Sequence, residues 1–205
     1  KYYNEWVFIL DADERVEQKF IDKINAIPEK LELSHNCFFV IRKDYFLGKY
    51  LRNIQSLKFY PRLIKPKFCK YQRLINPVLK VKGNSKILDL FIDHYPLSKG
   101  LNHWISKHND YSDLEAKQII KELNTSYKEI LSGIFAATKT KRRFYYKIFY
   151  YKFILFRPFI RFFLFYILKR GFLDGRVGLY YAILMMIYEY FISIKIKEYK
   201  IKLKN

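Results

Sequence analysis

The stretch Trp6-Val7-Phe8-Ile9-Leu10-Asp11-Ala12-Asp13-Glu14 decides the fold that we predict for this chain. Its unbroken apolar run predicts a strand that is buried on both faces, as in the middle of a parallel sheet. Ligands of such sheets collect at the carboxyl ends of the strands. Residues two apart in an extended chain point the same way. We therefore expect Asp11 and Asp13 to aim together at one hard cation, Mg2+ or Mn2+, which in turn holds phosphates.

Asp13 has a second interpretation, as the cap of a helix that begins near Arg15. Glu14 and Glu17 would then lie at the positive end of that helix, where carboxylates are stabilised. The two interpretations are compatible, because a junction from strand to helix can both cap the helix and coordinate a cation.

The composition indicates a polyanionic partner. The 205 residues suffice for one domain and an appendage, and they include 39 Lys and Arg against 19 Asp and Glu, for a net charge of +20. Such a charge favours nucleic acid or an anionic membrane face as the partner. Cys37 and Cys69 form no C-x-x-C pattern, which excludes a zinc site made by cysteines alone. We expect both to be buried free thiols in a reducing compartment.

Periodicity and turn residues predict a mixed order of strands and helices. A central parallel strand needs neighbours, and too few strand candidates follow the first one, so we expect an N-terminal portion of the domain to be missing. The predicted elements are a strand over 6–10, a helix over 15–27, a strand over 37–41, a loop or short extended piece over 45–51, strands over 57–64, 78–81 and 87–92, and a helical region from 101 to about 131.

The C-terminal region changes character after Gly133 and predicts helices associated with a membrane. Large aromatic residues alternate there with Lys and Arg from residue 139 to 170, with a break near Pro158, and residues 177–194 are apolar except for Glu189. Rings that sink into the interface and cations that reach anionic headgroups are typical of interfacial helices. A membrane-embedded or interfacial hairpin is favoured over two clean spans, and a soluble helical pair is the alternative. This region is too apolar for a nucleic-acid surface, so we predict no nucleic-acid partner.

Several motifs together resemble one family. The chain is similar to the C-terminal two-thirds of a family 2 glycosyltransferase, within the branch of lipopolysaccharide core biosynthesis glycosyltransferases. The order and spacing agree along nearly the whole chain, although no single motif would establish the likeness. The stretches that carry it are residues 6–16, 42–52, 60–64, 94–95, 107–112, 115–116, 166–175 and 178–179.

The resemblance implies a GT-A fold, which is a Rossmann-like α/β domain. In that family the D-x-D motif, matched here by Asp11 and Asp13, binds a divalent metal that carries the diphosphate of a nucleotide sugar. The implied partners are a nucleotide-sugar donor, a glycan or lipid-linked acceptor and an anionic membrane surface, at the cytoplasmic face of the inner membrane. The implied organisation is the C-terminal part of the catalytic domain over 1–132 and the membrane-associated helices over 133–205.

The family chemistry is an inverting displacement that needs a base, and the chain departs from the family at that point. Relatives often carry Val-His-Glu near the acceptor, whereas the corresponding stretch here is Leu74-Ile75-Asn76-Pro77-Val78. Asp44 and Asp93 are available carboxylates, but nothing in the sequence singles out either of them. A non-catalytic membrane-binding remnant of a transferase therefore stands as the alternative function.

The remaining candidate residues each have two interpretations. His94 would complete the metal site as a third ligand, or would be hydrogen-bonded at a strand end. Arg62 would bind a phosphate in forked fashion, or serve the structure. Lys107 and Tyr111, one helical turn apart, would face the acceptor or the diphosphate, or belong to a solvated helix face with Trp104 in the core.

Overall fold

The chain is mixed α/β. A computed structural model describes residues 5–27, 33–55, 58–72, 78–122 and 155–202. The chain divides into two compact units, Lys1–Gly100 and Leu101–Asn205. The predicted boundary between residues 132 and 133 lies outside the described residues and stays a prediction.

The first unit contains eight strands and a helix in its described part. These elements are β1 (Val7–Phe8), β2 (Glu14–Arg15), α1 (Gln18–Asn25), β3 (Cys37–Phe46), β4 (Lys49–Tyr50), β5 (Lys58–Ile64), β6 (Cys69–Gln72), β7 (Val78–Val81) and β8 (Ser85–His94). The main sheet has the strand order β1-β5-β3-β8-β2, and β4 extends it as a hairpin on β3. Strands β6 and β7 form a separate antiparallel pair after a 3-10 turn over Pro66–Phe68.

The core of this unit lies around β3 and β8. Phe20 of α1 is buried with Val40, Leu90 and Ile92, and the partly buried Val16 and Ile24 pack beside it. Burial of one such apolar side chain contributes about 2 kcal/mol, so this cluster fixes α1 on the sheet. Cys37 is buried as a free thiol, as predicted, and Cys69 is a free thiol of intermediate exposure.

The first apolar run forms a strand in a different setting from the predicted one. β1 is antiparallel to β5 and ends the strand order of the described sheet. Phe8 and Leu10 are 37% and 43% exposed. The prediction of a parallel interior strand buried on both faces is therefore wrong for the described residues. An apolar run reports which side chains prefer burial, whereas strand direction and position depend on pairing with distant residues.

The segment around Leu47 also differs from the prediction. β3 runs on to Phe46, and a tight hairpin follows in which Leu47 and Gly48 have φ of 47° and 76° before β4 begins. Two residues with positive φ match the right-handed twist of the flanking strands. The predicted loop or short extended piece over 45–51 is therefore a β-hairpin.

The second unit is helical. It contains α2 (Gly100–Glu122), α3 (Arg157–Phe163) and α4 (Gly175–Lys202), with a π-helical turn over Leu164–Leu168 and a 3-10 turn over Gly171–Asp174 before α4. Ala116 and Ile119 of α2 are buried against Ile192 and Ile196 of α4. Pro158 lies in the first turn of α3, a position where its missing N–H costs nothing. The predicted helix break near Pro158 is thus the start of α3. Residues 123–154 lie outside the part of the chain that the structure describes.

One helix of the described residues is long and apolar enough to cross a membrane. The 3-10 turn and α4 together form this continuous helix of 32 residues, Gly171–Lys202, and its most apolar window has a mean hydropathy of 1.6. A core helix of a soluble protein passes the same test, but only 33% of this window is buried. The prediction of a long apolar C-terminal segment is thus confirmed.

Candidate functional site

The Asp11–Glu14 segment is a turn that connects β1 to β2. The backbone N–H of Glu14 donates to the carbonyl of Asp11 at 2.9 Å, and the backbone N–H of Asp11 donates to Glu14 Oε2 at 3.1 Å. The expectation that Asp11 and Asp13 project together from an extended chain is therefore wrong. The turn sends the two carboxylates to different partners.

Arg62 of β5 is the partner of Asp11. Its Nη2 donates to Asp11 Oδ2 at 2.7 Å and also to Glu14 Oε1. The side chains of Arg62 and Glu14 are buried, whereas that of Asp11 is 55% exposed. Burial alone would lower the pKa of Arg62, but the charges and hydrogen bonds of Glu14 and Asp11 outweigh it and raise that pKa. Arg62 is thus a fully charged support beneath the turn.

His94, the last residue of β8, is the partner of Asp13. Its Nε2 lies 3.4 Å from Asp13 Oδ2, and its Nδ1 lies 2.5 Å from Asp44 Oδ1. The backbone adds to this arrangement, because Tyr95 N–H donates to the carbonyl of Asp13 at 2.8 Å. His94 therefore lies between two carboxylates and is hydrogen-bonded at a strand end, as one of its two interpretations predicts.

Asp44 is held on the far side of His94 by two cations. Arg42 Nε lies 3.0 Å from Asp44 Oδ1, and Lys58 Nζ lies 3.8 Å from Oδ2. Burial raises the pKa of Asp44, but the hydrogen bond from His94 and the charges of Arg42 and Lys58 outweigh it. The net result is a pKa below the usual range for aspartate, so Asp44 is an ionised buried carboxylate that orients the imidazole.

The predicted site residues are only partly brought together. Asp13 and His94 are neighbours, while Asp11 belongs to the Arg62 pair, and no cluster of three or more His, Cys, Asp or Glu suited to a metal ion occurs among the described residues. Lys107 and Tyr111 lie in the second unit, on an exposed face of α2 with Trp104 buried, which matches their structural interpretation. Asp13 does not cap a helix, because α1 begins at Gln18 with Glu17 in the cap position.

Three residues of this cluster were not predicted as site residues: the sequence placed Glu14 only at a helix end, left Asp44 unassigned and did not indicate Tyr71. Glu14 and Asp44 are the buried carboxylates that hold Arg62 and His94. Tyr71 of β6 is close enough for the charges of Arg62 and Asp11 to act on its phenol, whose pKa is raised chiefly by burial. The position of Glu14 just after an apolar strand could have indicated a site residue. The partners of Glu14, Asp44 and Tyr71 could not be predicted, because they are distant in sequence.

The two candidate bases lie in different places. Asp44 is enclosed by His94, Arg42 and Lys58. Asp93 lines a cavity of about 280 Å3 together with Phe91 and residues of α1. Its pKa is raised by burial, and the charges of Lys43 and Lys19 oppose that rise. Since successive strand residues point to opposite faces, Asp93 turns away from the His94 cluster. The stretch around Asn76 lies outside the described residues.

Comparisons with known proteins add no family. No model of a protein family matches the chain, and no curated protein matches it.

Proposed function

We propose that the chain is part of a membrane-associated inverting glycosyltransferase of family 2 with a GT-A catalytic domain. The observation that carries the proposal is the Asp11–Glu14 turn. It presents Asp11 and Asp13, whose side chains are 55% and 25% exposed, above the buried Arg62 and beside His94. Carboxylates that are partly exposed and held in place by buried or partly buried side chains remain accessible to a charged ligand.

The chemistry of these donors fits Mg2+ or Mn2+. Mg2+ in phosphate-transfer sites is bound by one or two carboxylates, keeps several waters and takes its other ligands from the substrate. Asp11 and Asp13 provide the two carboxylates, and Asp11 Oδ2 alone is engaged by Arg62. When bound, the cation neutralises the diphosphate of the nucleotide sugar. His94 Nε2 faces Asp13, which suits the imidazole to orient that carboxylate or to join it as a ligand.

The residues of the chain have distinct roles in the proposed displacement. An acceptor hydroxyl forms a bond to the anomeric carbon while the bond to the diphosphate breaks, and the hydroxyl proton passes to a base. Arg62 keeps Asp11 in place, and Asp44 fixes the ring of His94. The base is left unassigned, because Asp44 is enclosed and Asp93 faces another cavity.

The helices of the second unit support the location at a membrane. Glu189, the one acidic residue between 177 and 194, is fully buried and bound by Arg157 and Arg161. Large apolar side chains remain on the outside of this unit, including Phe159, Phe163, Leu168, Leu173 and Tyr190. A helix whose acidic residue is buried and whose apolar side chains are exposed is suited to a lipid environment. We assign the protein to the cytoplasmic face of the inner membrane on the resemblance alone.

The test is metal-dependent binding of nucleotide sugars. Titration calorimetry in the presence of Mn2+ should detect binding of a nucleotide sugar to the full-length protein, and Asp13→Ala should abolish that binding. Paramagnetic resonance of Mn2+ without the nucleotide reports on the metal site separately. Asp22→Ala, at an exposed position of α1, is the matched control and should leave both signals unchanged. Tight binding that needs no metal and survives Asp13→Ala would refute the proposal.

A non-catalytic membrane-binding remnant is the second candidate, and one observation favours it. Asp11 and Asp13 each already contact a side chain of the protein, as in a purely structural ion network. In that case neither Mn2+ nor a nucleotide sugar would bind, and the membrane association would persist.

A further inference from the structure

Residues 65–88 carry a charge pattern that the proposed function does not use. This stretch contains seven Lys and Arg and no Asp or Glu. It includes the β6–β7 pair, Cys69–Gln72 with Val78–Val81, which we call the basic hairpin. Lys65, at its start, is ion-paired with Glu5 at 2.8 Å.

The strand register concentrates the charge on one face of the basic hairpin. Lys70 lies directly opposite Lys80, while Cys69 pairs with Val81 and Tyr71 with Leu79. Since directly paired residues share a face and successive pairs alternate, Lys70 and Lys80 point together, and the Cys69–Val81 and Tyr71–Leu79 pairs point away. Both lysines are exposed. Like charges directly opposite each other destabilise a strand pair, so this face gains from a bound anion.

The protein does not provide that anion in its described part. None of the ion pairs among residues 5–27, 33–55, 58–72, 78–122 and 155–202 includes Lys67, Lys70, Lys80, Lys82 or Lys86. The backbone N–H of Lys82 donates to the carbonyl of Phe68 at 2.8 Å, which places a further cation at the end of the hairpin.

We infer that the basic hairpin is a docking surface for the anionic headgroups of a membrane. The inference rests on the membrane association proposed above, and not on sugar transfer. The apolar α4 tethers the chain to a bilayer, so headgroups are present at high effective concentration and weak ionic contacts become significant. Single-stranded nucleic acid would be expected to stack on aromatic rings beside the cations. The paired positions of the cationic face hold no aromatic residue, because Tyr71 belongs to the other face.

Lysine footprinting on the full chain tests this contact residue by residue. The chain is reconstituted in vesicles of phosphatidylcholine alone or with a third of phosphatidylglycerol, acetylated briefly and analysed by mass spectrometry. Lys70 and Lys80 should be protected several-fold more in the anionic vesicles than in the neutral ones. Lys99, exposed in a turn of the same unit, is the internal control and should react equally in both. Equal acetylation of Lys70 in the two vesicles would overturn the inference, as would protection by an RNA oligonucleotide without protection by anionic vesicles.

Charge reversal separates docking from folding. Lys70→Glu places opposite charges across the strand pair, so the hairpin should be at least as stable as before. Phosphatidylglycerol raises the affinity of the chain for vesicles, and Lys70→Glu should reduce that increase by about tenfold. Loss of one cation near an anionic surface lowers the affinity by about fivefold, and the new negative charge adds repulsion. Lys99→Glu changes the net charge equally and should have a much smaller effect. If Lys70→Glu and Lys99→Glu reduced vesicle binding equally, only the net charge would matter and the inferred docking surface would be refuted. A chain that binds neither vesicle would refute the membrane association as well, whereas a loss of sugar transfer alone would bear on the proposed function only.

Discussion

Arg62 is the residue on which the candidate site depends. It binds the buried Glu14 and the half-exposed Asp11. Removing two charges from water costs several kcal/mol per ion, which a good geometry only partly offsets. We interpret the pair as a positioning device: Glu14 anchors the guanidinium, and the guanidinium fixes Asp11 at the end of β1.

Removal of Arg62 should therefore destabilise the protein, because it leaves the buried Glu14 without a partner charge. Arg62→Met leaves an uncompensated carboxylate in the interior and should lower the free energy of unfolding by about 3–5 kcal/mol. The double variant Arg62→Met with Glu14→Leu should recover most of that loss, because no charge remains buried. Arg62→Lys keeps the positive charge but lacks the guanidinium group, so its free energy of unfolding should lie between those of the unaltered chain and Arg62→Met. Chemical denaturation of the full chain measures all three, and a double variant no more stable than Arg62→Met would contradict the buried-pair account.

The position of the site could be predicted at the residue scale, but its partners could not. A sharp change from apolar residues to Asp11 and Asp13 locates the end of a strand from sequence alone. The contacts of Glu14 with Arg62, and of Asp44 with His94, join residues 48 and 50 positions apart. Such contacts follow from the pairing of β1 with β5 and of β3 with β8, and local patterns contain no information on pairing.

At the scale of elements, strands and helices with strong periodicity were predictable and their arrangement was not. The runs predicted as strands at 37–41, 78–81 and 87–92 fall in observed strands, and β5 covers residues 58–64 of the run predicted at 57–64. The short polar strand β2, Glu14–Arg15, has no pattern to reveal it and exists because it pairs with the end of β8. The strand order and the mixed direction of the sheet result from these long-range contacts.

The start of α4 gives a prediction at this same scale. A Cβ added to Gly178 would lie 2.1 Å from the carbonyl oxygen of Gly171 and 2.9 Å from Asp174 Cβ. Asp174 is buried in the 3-10 turn that precedes α4. The 3-10 turn therefore packs against the helix backbone at Gly178, where no side chain fits.

Gly178→Ala should destabilise the second unit although alanine is the better helix former. Helix propensity alone would favour alanine by about 1 kcal/mol. The clash with backbone atoms should reverse the sign and cost about 1–3 kcal/mol, as over-packing does elsewhere. Thermal unfolding in detergent followed by circular dichroism measures the change. Tyr190→Ala, at an exposed position of the same helix, is the control and should have little effect. A more stable Gly178→Ala chain would show that the 3-10 turn is not packed on α4.

At the scale of the whole molecule, two kinds of membrane affinity are expected in different units. The first unit contributes the basic hairpin, an electrostatic element that salt weakens. The second unit contributes the apolar Gly171–Lys202 segment and the exposed rings of α3, which salt does not weaken. A truncation that separates them belongs at Gly100, because a cut at residue 139 would uncover the α2 face that packs on α4.

The full chain should consequently resist release by salt, and residues 1–100 should not. Screening shortens the range of surface charges to about 3 Å at 1 M salt and leaves apolar burial intact. In sedimentation with phosphatidylglycerol vesicles, the full chain should pellet at 0.1 M salt and be released only in part at 1 M. Residues 1–100 should pellet weakly at low salt and be released completely at 1 M, and Lys70→Glu in that fragment should remove most of the low-salt binding. The near-ultraviolet circular dichroism of the fragment checks that it is folded. If residues 1–100 pelleted as firmly as the full chain at both salt concentrations, the first unit would carry the affinity, and α3 and α4 would be a soluble helical pair.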